Sequence, residues 1–193
     1  SDVSQPKTSL NASFLKNKII DLAGSDFIVG ENNTSIGGGP IEIKKVGYPI
    51  GSFYLYEWAN FNDQGANLYK RQSDGSLTTN PGADDLTIMG QSEPKWTFGW
   101  NNTFTWKNWT LNFFINAAVG QDRLNVSRFA MASMTGVYRF ISLSDAYYKS
   151  WDKVENKANA VYASHKNSNN RNYPDSDFWL EDASFVKLKN ISL

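Results

Sequence analysis

Groups able to do chemistry are sparse in this chain, and none sits beside the partners its chemistry needs. His165 is the only histidine and lies in the polar run SHKNSNNRN. With no second histidine and no cysteine, it lacks co-ligands for zinc and reads as a solvated loop side chain. The same absence of Cys removes disulfides and thiolate catalysis. Residues 73–85, SDGSLTTNPGADD, loosely follow a calcium loop but lack its alternating carboxylates and closing Glu. An ordinary Asp-Gly turn at Asp74 and Gly75 is the simpler reading. Gly37, Gly38, Gly39 and Pro40 would need a following Gly-Lys-Ser/Thr to cradle phosphate, and none follows. No Ser-His-Asp, Cys-His or paired-carboxylate arrangement stands out, so neither enzyme activity, metal nor cofactor is expected. What remains are rings. The loop aromatics Trp58, Phe61, Tyr147, Tyr148 and Trp151 could stack on a ligand or partner, or pack among themselves.

The elements that would carry these loops are clearest in residues 94–120, PKWTFGWNNTFTWKNWTLNFFINAAVG. Phe98, Trp100, Phe104 and Trp106 share one parity, with Thr97, Gly99, Asn101, Thr103 and Thr105 between them. After Lys107 and Asn108 the phase resumes on Trp109, Leu111, Phe113, Ile115 and Ala117. Period-two alternation across a two-residue link predicts a β-hairpin with one apolar and one neutral, hydrogen-bonding face. Strands of about ten residues, tilted ~45°, cover roughly 23 Å, close to the apolar band of a membrane barrel. Trp106 and Trp109 flank the link as an interfacial aromatic girdle would. Phe98, Trp100, Phe104, Leu111, Phe113 and Ile115 are therefore expected to face lipid. A half-buried hairpin of a soluble β-sandwich alternates in the same way and is the competing reading.

Composition leaves both open. The chain has 193 residues with 19 basic and 19 acidic side chains, so its zero net charge gives no electrostatic case for nucleic acid. Mean hydropathy is −0.48 and no run approaches the ~20 apolar residues of a membrane helix. Barrel strands show lipid only alternate residues, so a low value is compatible with them. Aromatics at 15%, including seven Trp, are high for an ordinary soluble domain. Neither a signal peptide, a lipidation motif nor a start Met is evident, and SFVKLKNISL stops inside a strand pattern. The chain reads as a fragment.

Along the chain, residues 8–16 alternate as a strand, with a turn at Asn17-Lys18 and a poorer strand over 19–29. Residues 31–40 read as a loop, 41–46 and 49–58 as strands, and 60–93 as one long loop. A second long loop covers 121–179, with a short helix over 143–154 starting near Ser144. The last strand, 182–193, changes phase between Leu188 and Ile191, which predicts a bulge near Asn190. Tiny links at one end and long loops at the other are what outer-membrane barrels show.

Three segments in series resemble the SusC/RagA family of TonB-dependent outer-membrane transporters. VGYPIGSFYLYEWANF (46–61) is similar to its G-x-P-I-G-S-F-Y-x-Y-E stretch. DLTIMGQSEPKWTFGWNNTFTWKNWTLNFFINAAVGQD (85–122) resembles its D-x-T-x-I-G-x-P-x-P-K run and the strand that follows it. FWLEDASFVKLKNISL (178–193) is close to its strand with E-D-[GA]-S and L-[RK]-N. The resemblance implies an all-β fold, part of a 22-stranded antiparallel transmembrane barrel with long extracellular loops, and no plug domain in residues 1–193. It further implies the cell outer membrane, a SusD-like surface lipoprotein, the TonB complex, and import of glycans or, in the RagA branch, peptides. Many members carry an acidic D-x-N-G-D-G run before the second segment, of which only Asp74 and Gly75 remain here. A soluble Trp-rich carbohydrate-binding β-sandwich and an adhesin-like β-domain are the rivals.

Overall fold

The computed structural model describes residues 6–30, 39–132, 143–166, 173 and 175–193. In chain order the strands are β1 (Lys7–Phe14), β2 (Phe27–Val29), β3 (Glu42–Lys45), β4 (Ser52–Tyr56), β5 (Trp58–Phe61), β6 (Asn67–Lys70), β7 (Leu77–Thr78), β8 (Leu86–Gln91), β9 (Trp96–Trp106), β10 (Trp109–Val119), β11 (Asp122–Leu124), β12 (Leu180–Asp182) and β13 (Phe185–Ser192). Two short helices, α1 (Val126–Ala132) and α2 (Ser144–Tyr148), follow β11. No helix among the described residues is long and apolar enough to cross a membrane.

The predicted hairpin forms as β9 and β10, paired antiparallel from Trp106↔Trp109 to Trp96↔Val119. Lys107 takes φ of 50°, a positive angle that primed two-residue hairpin turns require and that closes them without splaying the strands. With β1 and β13 on the outer sides, the sheet order is β1-β9-β10-β13. The bulge also forms, since Phe114 pairs with Asn190 and Ile115 with Leu188, leaving Lys189 as the extra residue.

Register places one apolar face across all four strands. Ala12 lies beside Phe98 and Ala117, Leu10 beside Trp100, Ile115 and Leu188, and Phe104 beside Leu111. This face is uncovered: Leu10 is 71% and Leu188 57% exposed. A soluble sandwich would lay a second sheet on such a face. The other face is polar. Asn116 Nδ2 donates to Phe98 O at 3.2 Å, and a Cβ on Gly99 would come within 2.5 Å of Asn11 Oδ1.

Asn102 interrupts the apolar face, between Thr8 and Phe113. Phe113 packs edge-on to Trp100 and stacks on Phe104, with centroids at 5.7 and 6.1 Å. Beside this trio Asn102 is only 4% exposed, and its Nδ2 has no hydrogen-bond partner among the described residues. Thr8 Oγ1 instead accepts from Trp100 Nε1 at 2.9 Å.

Three sequence expectations are corrected. Asn17-Lys18 is not a hairpin turn into a strand over 19–29. Positive φ at Ala23 and Gly24 turns the chain, Ile19 N donates to Tyr48 O at 2.9 Å, and only Phe27–Val29 is a strand. The strands expected over 41–46 and 49–58 do form, as β3 and β4 of a second sheet, β2-β3-β4-β8. Residues 60–93 are not one structureless loop, because β6, β7 and β8 lie within them. Asn and Asp there serve the turns between short strands. Asn62 Oδ1 accepts from Gln64 N and Ala66 N, and Asp85 from Gln72 N and Gly82 N. Residues 121–179 likewise hold β11 and α1, and the expected helix is limited to Ser144–Tyr148.

Replacing Asn102 with Leu is expected to stabilise the sheet by about 1–3 kcal/mol, because the unpartnered amide then no longer has to be desolvated. Denaturant titration of the intact protein checks this, with Thr103→Leu on the polar face as a control expected to give no gain.

Candidate functional site

Residues 15–95 and 120–184 both leave the sheet at the end opposite Lys107 and Asn108. They interlock rather than stand apart. Tyr56 N donates to Asp175 O at 2.9 Å, Trp58 N to Asp177 Oδ1 at 2.7 Å, and Ser164 N to Gly65 O at 2.8 Å. Tyr56, Tyr69 and Tyr173 form a triangle of rings with centroids 5.1–6.2 Å apart. Burial and the nearby Asp175 carboxylate push the Tyr56 hydroxyl up to about 12. Tyr69 is raised further, again by burial. Burial also raises Asp175 and Asp177, against the N–H groups of Gly39 and Trp58 that they accept from.

A second core holds Phe129, Ala132, Ala146, Tyr162 and Trp179. Arg128 is set into its edge, 5.3–5.5 Å from the rings of Tyr162, Phe178 and Trp179, with Nη1 3.1 Å from Glu181 Oε1. Flat rings around a guanidinium hold it by cation–π attraction while the carboxylate balances its charge. Nothing in the sequence spacing pointed to this box, because 50 residues separate α1 from Phe178.

The five loop aromatics fall into separate settings. Trp58 and Phe61 pack edge to face at 5.3 Å; Trp58 also meets Phe178 at 5.0 Å and donates Nε1 to Asn67 Oδ1 at 2.9 Å. Trp151 lies against Gly65, and Lys157 Nζ sits 4.5 Å over its ring. Tyr147 and Tyr148 face outward, with Tyr148 70% exposed and Lys153 Nζ 4.4 Å over the Tyr147 ring. Inward packing thus occupies Trp58, Lys153 covers Tyr147, and Tyr148 keeps the most open ring surface.

His165 is not the freely solvated side chain expected. It is half-buried, its Nε2 lies 3.1 Å from Ala146 O, and its ring is parallel to Tyr147 at 6.5 Å. Asp152 accepts from Ser164 Oγ and from the N–H groups of His165 and Lys166, bonds that outweigh its burial and lower its pKa. The Asp-Gly turn is as read: Asp74 Oδ1 accepts from Ser76 N and Oγ at 2.9 and 2.7 Å. Gly37 and Gly38 lie outside the described residues. Gly39 N donates to the Asp175 carboxylate at 3.3 Å, so this end of the glycine run faces an anion rather than offering a phosphate cradle.

No family model matches the chain. TonB-dependent receptor P3 of Formosa agariphila is 26% identical over 208 residues, covering 96% of this chain and 19% of the relative. TonB-dependent receptor P26 of the same organism is 26% identical over 207 residues, covering 97% and 20%. Among solved structures, the RagAB peptide importer in its closed-closed state matches with a TM-score of 0.77 and 24% identity, over 98% of this chain and 20% of that one. A second structure of the RagAB peptide transporter gives 0.79 and 22%, over 97% and 20%. Over nearly its whole length the chain is thus similar to part of the TonB-dependent receptors, and it shares its fold with the matching part of the RagAB structures. The chain spans about a fifth of the length of the curated relatives it matches.

Because folding holds the Tyr56 proton more tightly, stability of the interlocked loops falls as pH rises from 10.0 to about 12. Tyr56→Phe is expected to flatten that part of the profile. Tyrosinate absorbance at alkaline pH, read beside hydrogen exchange of residues 52–70, checks it.

Proposed function

We propose that this chain supplies wall strands and two outer loop regions of a 22-stranded barrel that imports oligosaccharides, energised through TonB. In this reading Phe98, Trp100, Phe104, Leu111, Phe113 and Ile115 face lipid, and Thr103, Asn112 and Asn116 face the lumen. The observation that carries it is the four-stranded sheet with one uncovered, predominantly apolar face and both long excursions at one end. A SusD-like surface lipoprotein would lid the barrel above those excursions. The plug and the contact with TonB would lie in parts of the transporter other than this chain. The chain itself carries no catalysis: its role is to enclose a path and to present loops to ligand and lid.

For the cargo, the exposed ring of Tyr148 suits the apolar face of a sugar. Peptide import is the second reading, favoured by the structural likeness to the RagAB peptide importer. Trp58, Phe61, Trp151 and Tyr147 are weaker candidates for ligand contact, since each is already covered by packing partners.

Uptake by cells carrying the intact transporter, with and without TonB, separates the cargo readings. Labelled oligosaccharide should accumulate only with TonB, and Tyr148→Ala should lower its uptake severalfold. Accumulation of labelled peptide alone would select the second reading.

For the wall, Arg at Phe104 or Ile115 is expected to cost ~2–4 kcal/mol in a folding titration into bilayers, and Arg at Thr103 much less. Equal penalties on the two faces would remove the lipid assignment.

For orientation, Cys introduced at Asp74 should react with an impermeant thiol reagent on whole cells, whereas Cys at Asn108 should not.

A further inference from the structure

We propose that a cleft at the loop-side rim of the wall binds the phosphate-bearing headgroup of an outer-leaflet glycolipid. The inference rests on the membrane-barrel reading above. The cleft has a volume of about 380 Å³ and lies where β1 and β9 leave the apolar face. Its lower lip is the ring pair Phe14 and Trp96, with centroids 4.6 Å apart, which ends the apolar face on this side. Beyond that lip Lys16, Lys18 and Lys95 all line the cleft, with Glu93 as the one carboxylate among them.

All three lysines are exposed, and none takes part in a salt bridge among the described residues. Lys16 and Lys18 stand two and four residues past Phe14, so an extended chain carries them roughly 7 to 13 Å beyond the ring belt. That is headgroup height. The site is framed by backbone bonds rather than left to mobile side chains. Leu15 N donates to Lys95 O at 2.9 Å, Ile50 N to Asn17 Oδ1 at 2.7 Å, and Ile19 N to Tyr48 O at 2.9 Å. Phe14 and Leu15 line the same cleft with exposed apolar side chains.

A net positive cleft bordered by apolar side chains at the edge of a hydrocarbon-facing wall complements one kind of molecule, an anionic lipid whose chains run down the wall. Ammonium groups bind phosphate as charge-assisted donors, and more strongly where salt and water are partly excluded. A free anion would have no use for the apolar lip. A zwitterionic phospholipid would leave the net positive charge uncompensated.

The test uses the intact transporter purified from outer membranes, compared with its Lys16→Gln/Lys18→Gln/Lys95→Gln variant. Lys187→Gln, on the polar face of β13, serves as control. Native mass spectrometry reads co-purified lipid, and the shift of the unheated band on a gel reads barrel folding. The parent and control should retain a phosphorylated glycolipid, and the triple variant should lose about tenfold in occupancy with its band shift intact. Re-adding dephosphorylated glycolipid to stripped parent should fail to restore binding, and inorganic phosphate at equal concentration should not compete.

Equal glycolipid in parent and triple variant would overturn the proposal, as would phospholipid bound in its place. Lysines that stay unreactive to an amine reagent after the lipid is stripped would show that protein covers the cleft, which also overturns it. A parent that shows no heat-dependent band shift would instead sink the barrel reading beneath it.

Discussion

In the wall, backbone pairing is the constraint on which the rest depends. A strand bordered by hydrocarbon has no water to receive its N–H and C=O groups, so each must be met by a neighbouring strand. β9 and β10 meet this on both sides, with β1 and β13 as their outer partners. The two-residue link at Lys107 and Asn108 sets the register between them, and register decides which side chains reach which face. A slip by one residue would turn Thr and Asn toward the apolar side along the whole strand. The bulge at Lys189 serves the same rule. Val186 and Leu188 have one parity and Ile191 the other, and the extra residue returns Ile191 to the face it shares with Phe113.

Asn102 shows how strictly that face is kept apolar. Its amide falls among rings, where water cannot compensate it. Phe113, held between Trp100 and Phe104, packs beside it and leaves it almost wholly buried. Trp100 avoids the same cost for its indole N–H by donating to Thr8 on the adjacent strand. Polar atoms on this face are thus either paired locally or shielded by rings, which limits what the face shows to its surroundings.

The loop layer is built on another principle. Its composition is polar, yet buried carboxylates and aromatic rings give it internal order. Asp175, Asp177, Asp152 and Asp85 each accept from backbone N–H groups and so replace the ladder bonds that short strands cannot make. Rings fill the spaces between these turns, and Arg128 joins α1 to the segment before β12 through Tyr162, Phe178, Trp179 and Glu181. A layer tied this way can hold Tyr148 outward, 70% exposed.

The sequence by itself determined the hairpin, its two-residue link, its two faces and the bulge near the end of β13. All four are local: period-two alternation is set by the pleat and needs no distant partner to be legible. Motifs in series also carried the resemblance to the SusC/RagA family. Only the tertiary structure decided that β1 pairs with β9, eighty residues on, and that the strands over 41–58 belong to a separate sheet. It alone revealed the short strands and carboxylate-tied turns within residues 60–93. The physical reason is that strand partners and buried carboxylates are matched across long chain separations, where composition carries no trace of them. The Arg128 box and the lysine-lined rim cleft belong to this second kind, since their residues meet only once β1, β9 and the two excursions have folded against one another.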